Sequence, residues 1–157
     1  MRKIVKDRIL ESRPKPPGPW LNLESLCRVE ISSEDPAHPV EDALVAQSGA
    51  GWRAASPGEQ SIRLLFDEPQ DLRRIYLEFE ELERERTQEY LIRVSTNGGE
   101  SSRDILRQQY NFALYGARSE IEDYRVELDG VSVLELRILP HLGGGEAVAS
   151  LKVLRLA

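Results

Sequence analysis

The sequence predicts an all-β domain, an antiparallel sandwich or barrel. Three observations carry this. From residue 26 onward the apolar residues mostly recur at every second position. The alternating runs are short. Clusters of Gly, Pro, Asn and Asp bound them. A period of two is the pattern of a strand with one buried face, and short runs between such turn residues pack as sheet on sheet.

Taken in order, LCRVEIS (26–32) places Cys27, Val29 and Ile31 on one face. SEDPAHPVEDAL (33–44) is a loop with two prolines, with a helical turn at 41–45. QSIRLLF (60–66) aligns Ile62, Leu64 and Phe66, and DEPQD (67–71) is a turn. LRRIYLEFE (72–80) turns Ile75, Leu77 and Phe79 inward and Tyr76, Glu78 and Glu80 outward. The composition of 76–90 also suits a helix with i,i+4 charge pairs. The strict alternation at 75–79 favours a strand to about residue 80 and then a charged loop. YLIRVSTNGG (90–99) turns Tyr90, Ile92 and Val94 inward and ends in a turn at Asn97-Gly98-Gly99. In RQQYNF (107–112) a strand would set Leu106, Gln108, Tyr110 and Phe112 on one face. YRVELDG (124–130) aligns Tyr124, Val126 and Leu128 before a turn at Asp129-Gly130. VLELRILP (133–140) aligns Leu134, Leu136 and Ile138, and Pro140 closes it. The imperfect alternation of ASLKVLRLA (149–157) predicts a bulge.

Before residue 26, Ile4, Val5, Ile9 and Leu10 stand among charges, as in a short amphipathic helix or an extended arm. PKPPGP (14–19) continues neither a helix nor a central strand, because proline lacks the donor and fixes φ. It reads as a stiff leader that Trp20 pins to the body. The expected division is an arm and leader at 1–25 and a domain at 26–157.

The 157 residues suffice for one domain with its own core. Twenty-one basic against 27 acidic residues give a net charge of −6. That balance argues against nucleic acid or an anionic membrane as partner. Cys27 is the only cysteine, so no intrachain disulfide forms and the thiol is expected as a small buried hydrophobe. No apolar run is long enough to span a bilayer, and the start has charges without the apolar stretch of a secretory signal. A cytoplasmic location is the expectation.

The order of the pieces resembles the discoidin family, the coagulation-factor type C domains, within the galactose-binding-like jelly rolls. The residues that carry the likeness are Gly51-Trp52-Arg53-Ala54, Gln60, the run Ile62 to Phe66 with Asp67, the turn Glu68-Pro69, Tyr90 to Ser95 with Asn97-Gly98, Leu134 to Pro140, and the closing Leu151 to Leu156. The likeness covers about 26–157. It implies an all-β antiparallel jelly-roll β-sandwich of about eight or nine strands. The chain departs from the family in lacking the cysteine pair that often ties the domain's ends, and in having Asn97 where Asp is usual. Asn-Gly serves the same turn. In domains of this kind the Trp of the Gly-Trp segment belongs to the packed body. A large aromatic before a strand also suits a lid on the core; the alternative for Trp52 is a platform for a ligand.

Catalytic patterns are few. His38 and His141 lie far apart in separate loops, with no His-Glu-x-x-His, no Cys-x-x-Cys and no Gly-x-Ser-x-Gly. Gly143-Gly144-Gly145 lacks the Lys-Ser/Thr of a phosphate loop and reads as a turn. A third reading, an enzyme that uses His38 or His141, requires a cleft. Binding is better supported: loops at one end of such a sandwich carry function, and planar polar groups suit sugar hydroxyls. The candidates are His38 with Arg84, Arg86 and Gln88, and the Arg107 and Gln109 cluster beside Tyr110 and Phe112. Against this, Arg84 and Arg86 can simply balance Glu81, Glu83 and Glu85, and Tyr110 and Phe112 can be core. Some sugar-binding relatives use a His with Arg, but the spacing differs, so no family site residue carries over. Calcium occurs in some galactose-binding-like domains, and Glu34, Asp35, Glu41 and Asp42 supply hard oxygens for it; no other cofactor is expected. The expectation is a non-catalytic binding module for a carbohydrate. The rival is an intracellular protein-interaction scaffold.

Overall fold

The computed structural model describes residues 20–45, 49–113 and 115–157. The arm expected at 1–12 and the leader at 14–19 lie outside the described residues. Eight strands follow one another: β1 (Cys27–Ile31), β2 (Trp52–Pro57), β3 (Gln60–Glu80), β4 (Arg86–Ser95), β5 (Arg103–Phe112), β6 (Ser119–Leu139), β7 (Val148–Leu151) and β8 (Val153–Leu156). Two single-turn helices, α1 (Leu23–Leu26) and α2 (Glu41–Leu44), flank β1. The larger sheet runs β1-β3-β6-β4-β5, with β8 added to β3, while β2 and β7 form a separate pair. Every pairing is antiparallel. This is the expected jelly-roll sandwich.

Two expected turns are not chain reversals. DEPQD lies inside β3, and Asp129-Gly130 lies inside β6. The two strands stay paired from Gln60↔Ile138 to Glu80↔Ser119, with register shifts where these segments face each other. Leu65 faces Val133 but Leu72 faces Leu128, so β3 spends more residues on the stretch than β6. Extra residues in one strand bulge and bend the ladder. Pro69, which cannot donate, fits such a bulge. Gly130 takes a positive φ of 66° and donates its N–H to Asp71 Oδ1 at 2.9 Å. Turn chemistry therefore makes a corner here. Before it, β3 pairs with β1 and the end of β6; after it, β3 pairs with β8 and the start of β6.

The two halves face each other across the core. The Phe79 and Tyr90 rings lie 5.0 Å apart, and the Tyr90 and Tyr124 hydroxyls share a hydrogen bond of 2.7 Å. Ile62, Leu64, Ile75, Leu77, Phe79, Ile92, Leu134, Leu136 and Ile138 are buried, as their alternation predicts. Leu23 of α1 joins them, and Trp20 stacks near Tyr76 at 5.9 Å under the Arg74 guanidinium. Cys27 is partly buried, and burial first and Asp67 second push its thiol up to about 11. Trp52 is 1% exposed and donates Nε1–H to Ser33 O at 3.1 Å. It is core. The terminal run does not bulge within one strand. It breaks at Lys152, with β7 on β2 and β8 on β3, while Lys152 N–H donates to Glu78 O at 2.8 Å.

One end of the interior is polar. Glu120 and Tyr124 point inward from β6, Arg86 and Gln88 from β4, and Tyr110 from β5, whose hydroxyl donates to Ser119 O at 2.8 Å. Burial first, then the neighbouring Glu122 carboxylate, pushes the Glu120 carboxyl up to about 8.

Two outcomes are expected. Gly51 has φ +82°, and a Cβ there would lie 2.5 Å from Leu151 O and 2.7 Å from Lys152 Cα. Both obstacles are backbone, so Gly51→Ala should lower stability by about 2 kcal/mol or more in urea unfolding. The second concerns pH. Because the folded state raises Glu120 above the ordinary 4.5, its contribution is full below that value and is lost as pH rises through about 8. The melting temperature should fall by ~5 °C or more between pH 5 and pH 9, and Glu120→Gln should flatten that fall.

Candidate functional site

A cleft of about 340 Å³ opens where the 33–38 loop, the segment before β2, the β3–β4 loop and the β7–β8 junction meet. Asp35, His38, Arg53, Leu82, Glu83 and Lys152 line it over the buried Trp52. Backbone bonds fix the first two walls to each other. Asp35 N–H donates to Arg53 O at 2.9 Å, and Arg53 N–H donates to His38 O at 3.2 Å. The loop is also capped from within: Glu34 Oε1 accepts Val40 N–H at 2.8 Å and Asp35 Oδ1 accepts Ala37 N–H at 3.0 Å. Alternation on β2 buries Trp52 and Ala54 and turns Arg53 outward.

The polar groups of the cleft are incompletely used. His38 Nδ1 is buried, 3.6 Å from Asp35 Oδ2, and has no hydrogen-bond partner. Arg53 has no ion pair or hydrogen bond from its guanidinium among the described residues. Lys152 Nζ is 3.4 Å from Glu80 Oε1. Leu82, 57% exposed, adds an apolar surface. A planar cation, an imidazole and an apolar patch around one hollow can grip a polyhydroxylated ring by its hydroxyls and one face.

The β3–β4 wall is held from inside. Glu81 Oε1 accepts Arg86 Nε–H at 2.6 Å, and its Oε2 accepts the N–H groups of Glu83 at 2.9 Å and Arg84 at 3.2 Å. Arg86 Nη1 also donates to Gln88 Oε1 and Pro140 O, each at 3.0 Å, and the guanidinium lies 4.7 Å over the Phe112 ring. Burial pushes the Glu81 carboxyl up, but the bonds from Arg86 and the two loop amides outweigh it and hold the group below its ordinary range. For Arg86 burial wins over Glu81, and its pKa is lowered. A charged pair sealed from water is costly to break, because the surviving partner stays buried.

The expected binding residues therefore separate. His38 lines the cleft. Arg86 and Gln88 lie inside the sandwich, at 2% and 0% exposure, and brace the wall without facing the surface. Arg84 is exposed on the adjoining loop. Arg107 and Gln109 are on the outer face of β5, where Arg107 pairs with Glu89 at 2.8 Å. Phe112 is core and Tyr110 half-buried. Of the calcium candidates, Glu34 and Asp35 cap their own loop and Glu41 and Asp42 open α2; among the described residues no group of three or more His, Cys, Asp or Glu is gathered for a metal ion. His141 Nδ1 accepts Thr87 N–H at 3.0 Å. Sequence reasoning missed Arg53, Leu82 and Lys152. The outward place of Arg53 in the Trp-Arg-Ala alternation was the available signal.

Arg86→Ala should lower stability by about 3–5 kcal/mol, since it leaves Glu81 buried and unpaired. Arg84→Ala should stay within about 0.5 kcal/mol of the parent. Chemical denaturation of the two variants checks both.

No family model matches the sequence, and no curated protein matches it in sequence. Solved structures do match in shape. The family 32 carbohydrate-binding module of Clostridium perfringens NanJ, solved with galactose, superposes with a TM-score of 0.63 at 12% identity, covering 87% of this chain and 96% of that one. A second module, CBM32-3 from a family 31 glycoside hydrolase of Clostridium perfringens, gives 0.63 at 20% identity, with 87% and 93% covered. An F5/8 type C domain from Bacteroides fragilis gives 0.58 at 14% identity, with 89% and 97% covered. With this agreement over most of the chain, the fold is that of a discoidin-like, galactose-binding-like β-sandwich.

Proposed function

We propose that the chain is a non-catalytic carbohydrate-binding module and that the cleft between His38, Arg53 and Leu82 holds the sugar. The observation that carries this is the unpartnered Arg53 guanidinium beside the His38 ring and an exposed apolar side chain in one hollow. Arg53, whose guanidinium has no partner among the described residues, has donors to offer a ring hydroxyl. The galactose-bound structural neighbour supports the same class of ligand.

Charge narrows the class. Asp35, Glu80, Glu81 and Glu83 line the cleft against Arg53 and Lys152, with Arg86 neutralising Glu81 from behind. The excess of carboxylates repels an acidic sugar. A neutral or amino sugar fits.

The test is a glycan array with the folded, labelled chain, followed by titration with the best neutral glycan. His38→Ala and Arg53→Ala should each weaken binding by about 10-fold or more with the melting temperature unchanged. Arg107→Ala should bind as the parent. Uronic-acid oligomers should give no signal. A blank array from folded protein rejects the reading and favours the scaffold alternative, for which the exposed Leu82, Tyr115 and Leu142 are the apolar contacts to mutate.

A further inference from the structure

Two loops lie side by side at the cleft end of the sandwich: residues 81–85, which join β3 to β4, and the β5–β6 loop that follows Phe112. Backbone bonds tie them together. Glu80 pairs with Ser119, and Glu81 N–H donates to Arg118 O at 2.8 Å. On its other flank the end of β3 is bonded to the β7–β8 junction, where Lys152 N–H donates to Glu78 O at 2.8 Å. Lys152 lines the cleft, and so do Leu82 and Glu83 of the first loop. The 81–85 loop is therefore a ridge, with the cleft on one side and the β5–β6 loop on the other. Paired strands lie about 4.8 Å apart, so the backbones of Lys152 and Arg118 flank the ridge at roughly 10 Å from each other.

The far side of the ridge displays groups that the packing does not use. Tyr115 is 98% exposed, on a loop closed by Ala113 N–H donating to Ala117 O at 2.8 Å. Arg118 is exposed, and its guanidinium has no ion pair or hydrogen bond among the described residues. Leu82, on the ridge itself, is exposed and lines the cleft. Leu142 belongs to the same end, since its N–H donates to Thr87 O at the start of β4. Leu82, Tyr115 and Leu142 are three of the four exposed large apolar side chains among the described residues. Such residues scattered singly need no explanation, but their concentration beside the cleft points to a contact surface. An aromatic face with an unused guanidinium near it suits a pyranose: the apolar face of the sugar lies on the tyrosine, and its hydroxyl oxygens accept from the arginine.

We propose that the β5–β6 loop is a second sugar subsite and that the chain reads an oligosaccharide. One residue sits in the cleft between His38 and Arg53, the glycan passes over Leu82, and a further residue lies on Tyr115 with Arg118 donating to its hydroxyls. The width of the ridge exceeds one sugar ring, so a monosaccharide in the cleft does not reach Tyr115. The ridge keeps its shape because Glu81 accepts the amides of Glu83 and Arg84 and is itself held by Arg86. The inference rests on the cleft being a sugar site and adds the length of glycan that is recognised.

The test is calorimetric titration of the full chain with the best neutral glycan, supplied as its monosaccharide and as its di-, tri- and tetrasaccharides. Affinity should rise by about 10-fold or more once the glycan is long enough to cross the ridge. Tyr115→Ala should weaken the longer glycans by about 5-fold and leave the monosaccharide unchanged, whereas Tyr115→Phe, which keeps the ring, should bind both as the parent does. Arg118→Ala should follow Tyr115→Ala. Both side chains are exposed, so the melting temperatures should hold. His38→Ala differs from these, because it should weaken every length alike. Equal affinity for all lengths, or a Tyr115→Ala variant that binds the tetrasaccharide as tightly as the parent, overturns the second subsite and leaves the cleft standing. Folded parent protein that binds no length, the monosaccharide included, overturns the cleft reading and this inference with it.

Discussion

Strands β3 and β6 remain paired over their whole length and turn the corner of the sandwich together. That one ladder serves both layers. Its first part gives β1 and β4 an edge to pair with, and its second part gives β8 one. The core lies in the fold of the ladder, so the positions of the buried Ile75, Leu77 and Phe79 relative to Tyr90 and Ile92 depend on where the bend falls. The bend is set by a few residues: the bulge through DEPQD, the positive φ of Gly130 and the Asp71 bond to its amide. A slip of one residue in this register would turn every inward side chain of the slipped strand outward.

The ladder also explains why a charged pair is in the interior. β3 ends in one layer and β4 begins in the other, so the five residues between them cross the end of the sandwich. Such a crossing has few neighbours to hydrogen-bond its backbone. Glu81 supplies the missing acceptors for two loop amides, and Arg86 neutralises Glu81 from below. The wall of the cleft thus takes its shape from the core side, and the residues that define it are not those that face a ligand.

Much of the fold was legible in the sequence because period two survives wherever one face is buried: Ile62, Leu64, Leu134, Leu136 and Ile138 fall as their spacing requires. Corners were not legible. Asp-Glu-Pro-Gln-Asp and Asp-Gly have the chemistry of a reversal, and only the facing strand decides that they make a bulge. The site was half legible. His38 was found from its loop. Arg86 and Gln88 carry the same side chains as a surface binding pair, and their burial follows from β5 closing over them through Phe112, a long-range fact absent from local pattern. Arg53 was hidden for the opposite reason, as a polar residue between two core residues that reads as routine alternation.

The strand order has a kinetic meaning. β4 and β5 pair within one hairpin, but β6 must return from the far side of that hairpin to sit between β4 and β3. Its partners are the residues from Gln60 to Glu80, separated from it by most of the middle of the chain. Closing so long a loop costs entropy before any contact repays it, and chains dominated by distant pairings fold in milliseconds to seconds. Without β6, β3 and β4 would each have an edge of unpaired N–H and C=O groups. An unpaired strand edge is a template for another chain, so in this topology β6 is what keeps β3 and β4 from pairing with a second copy.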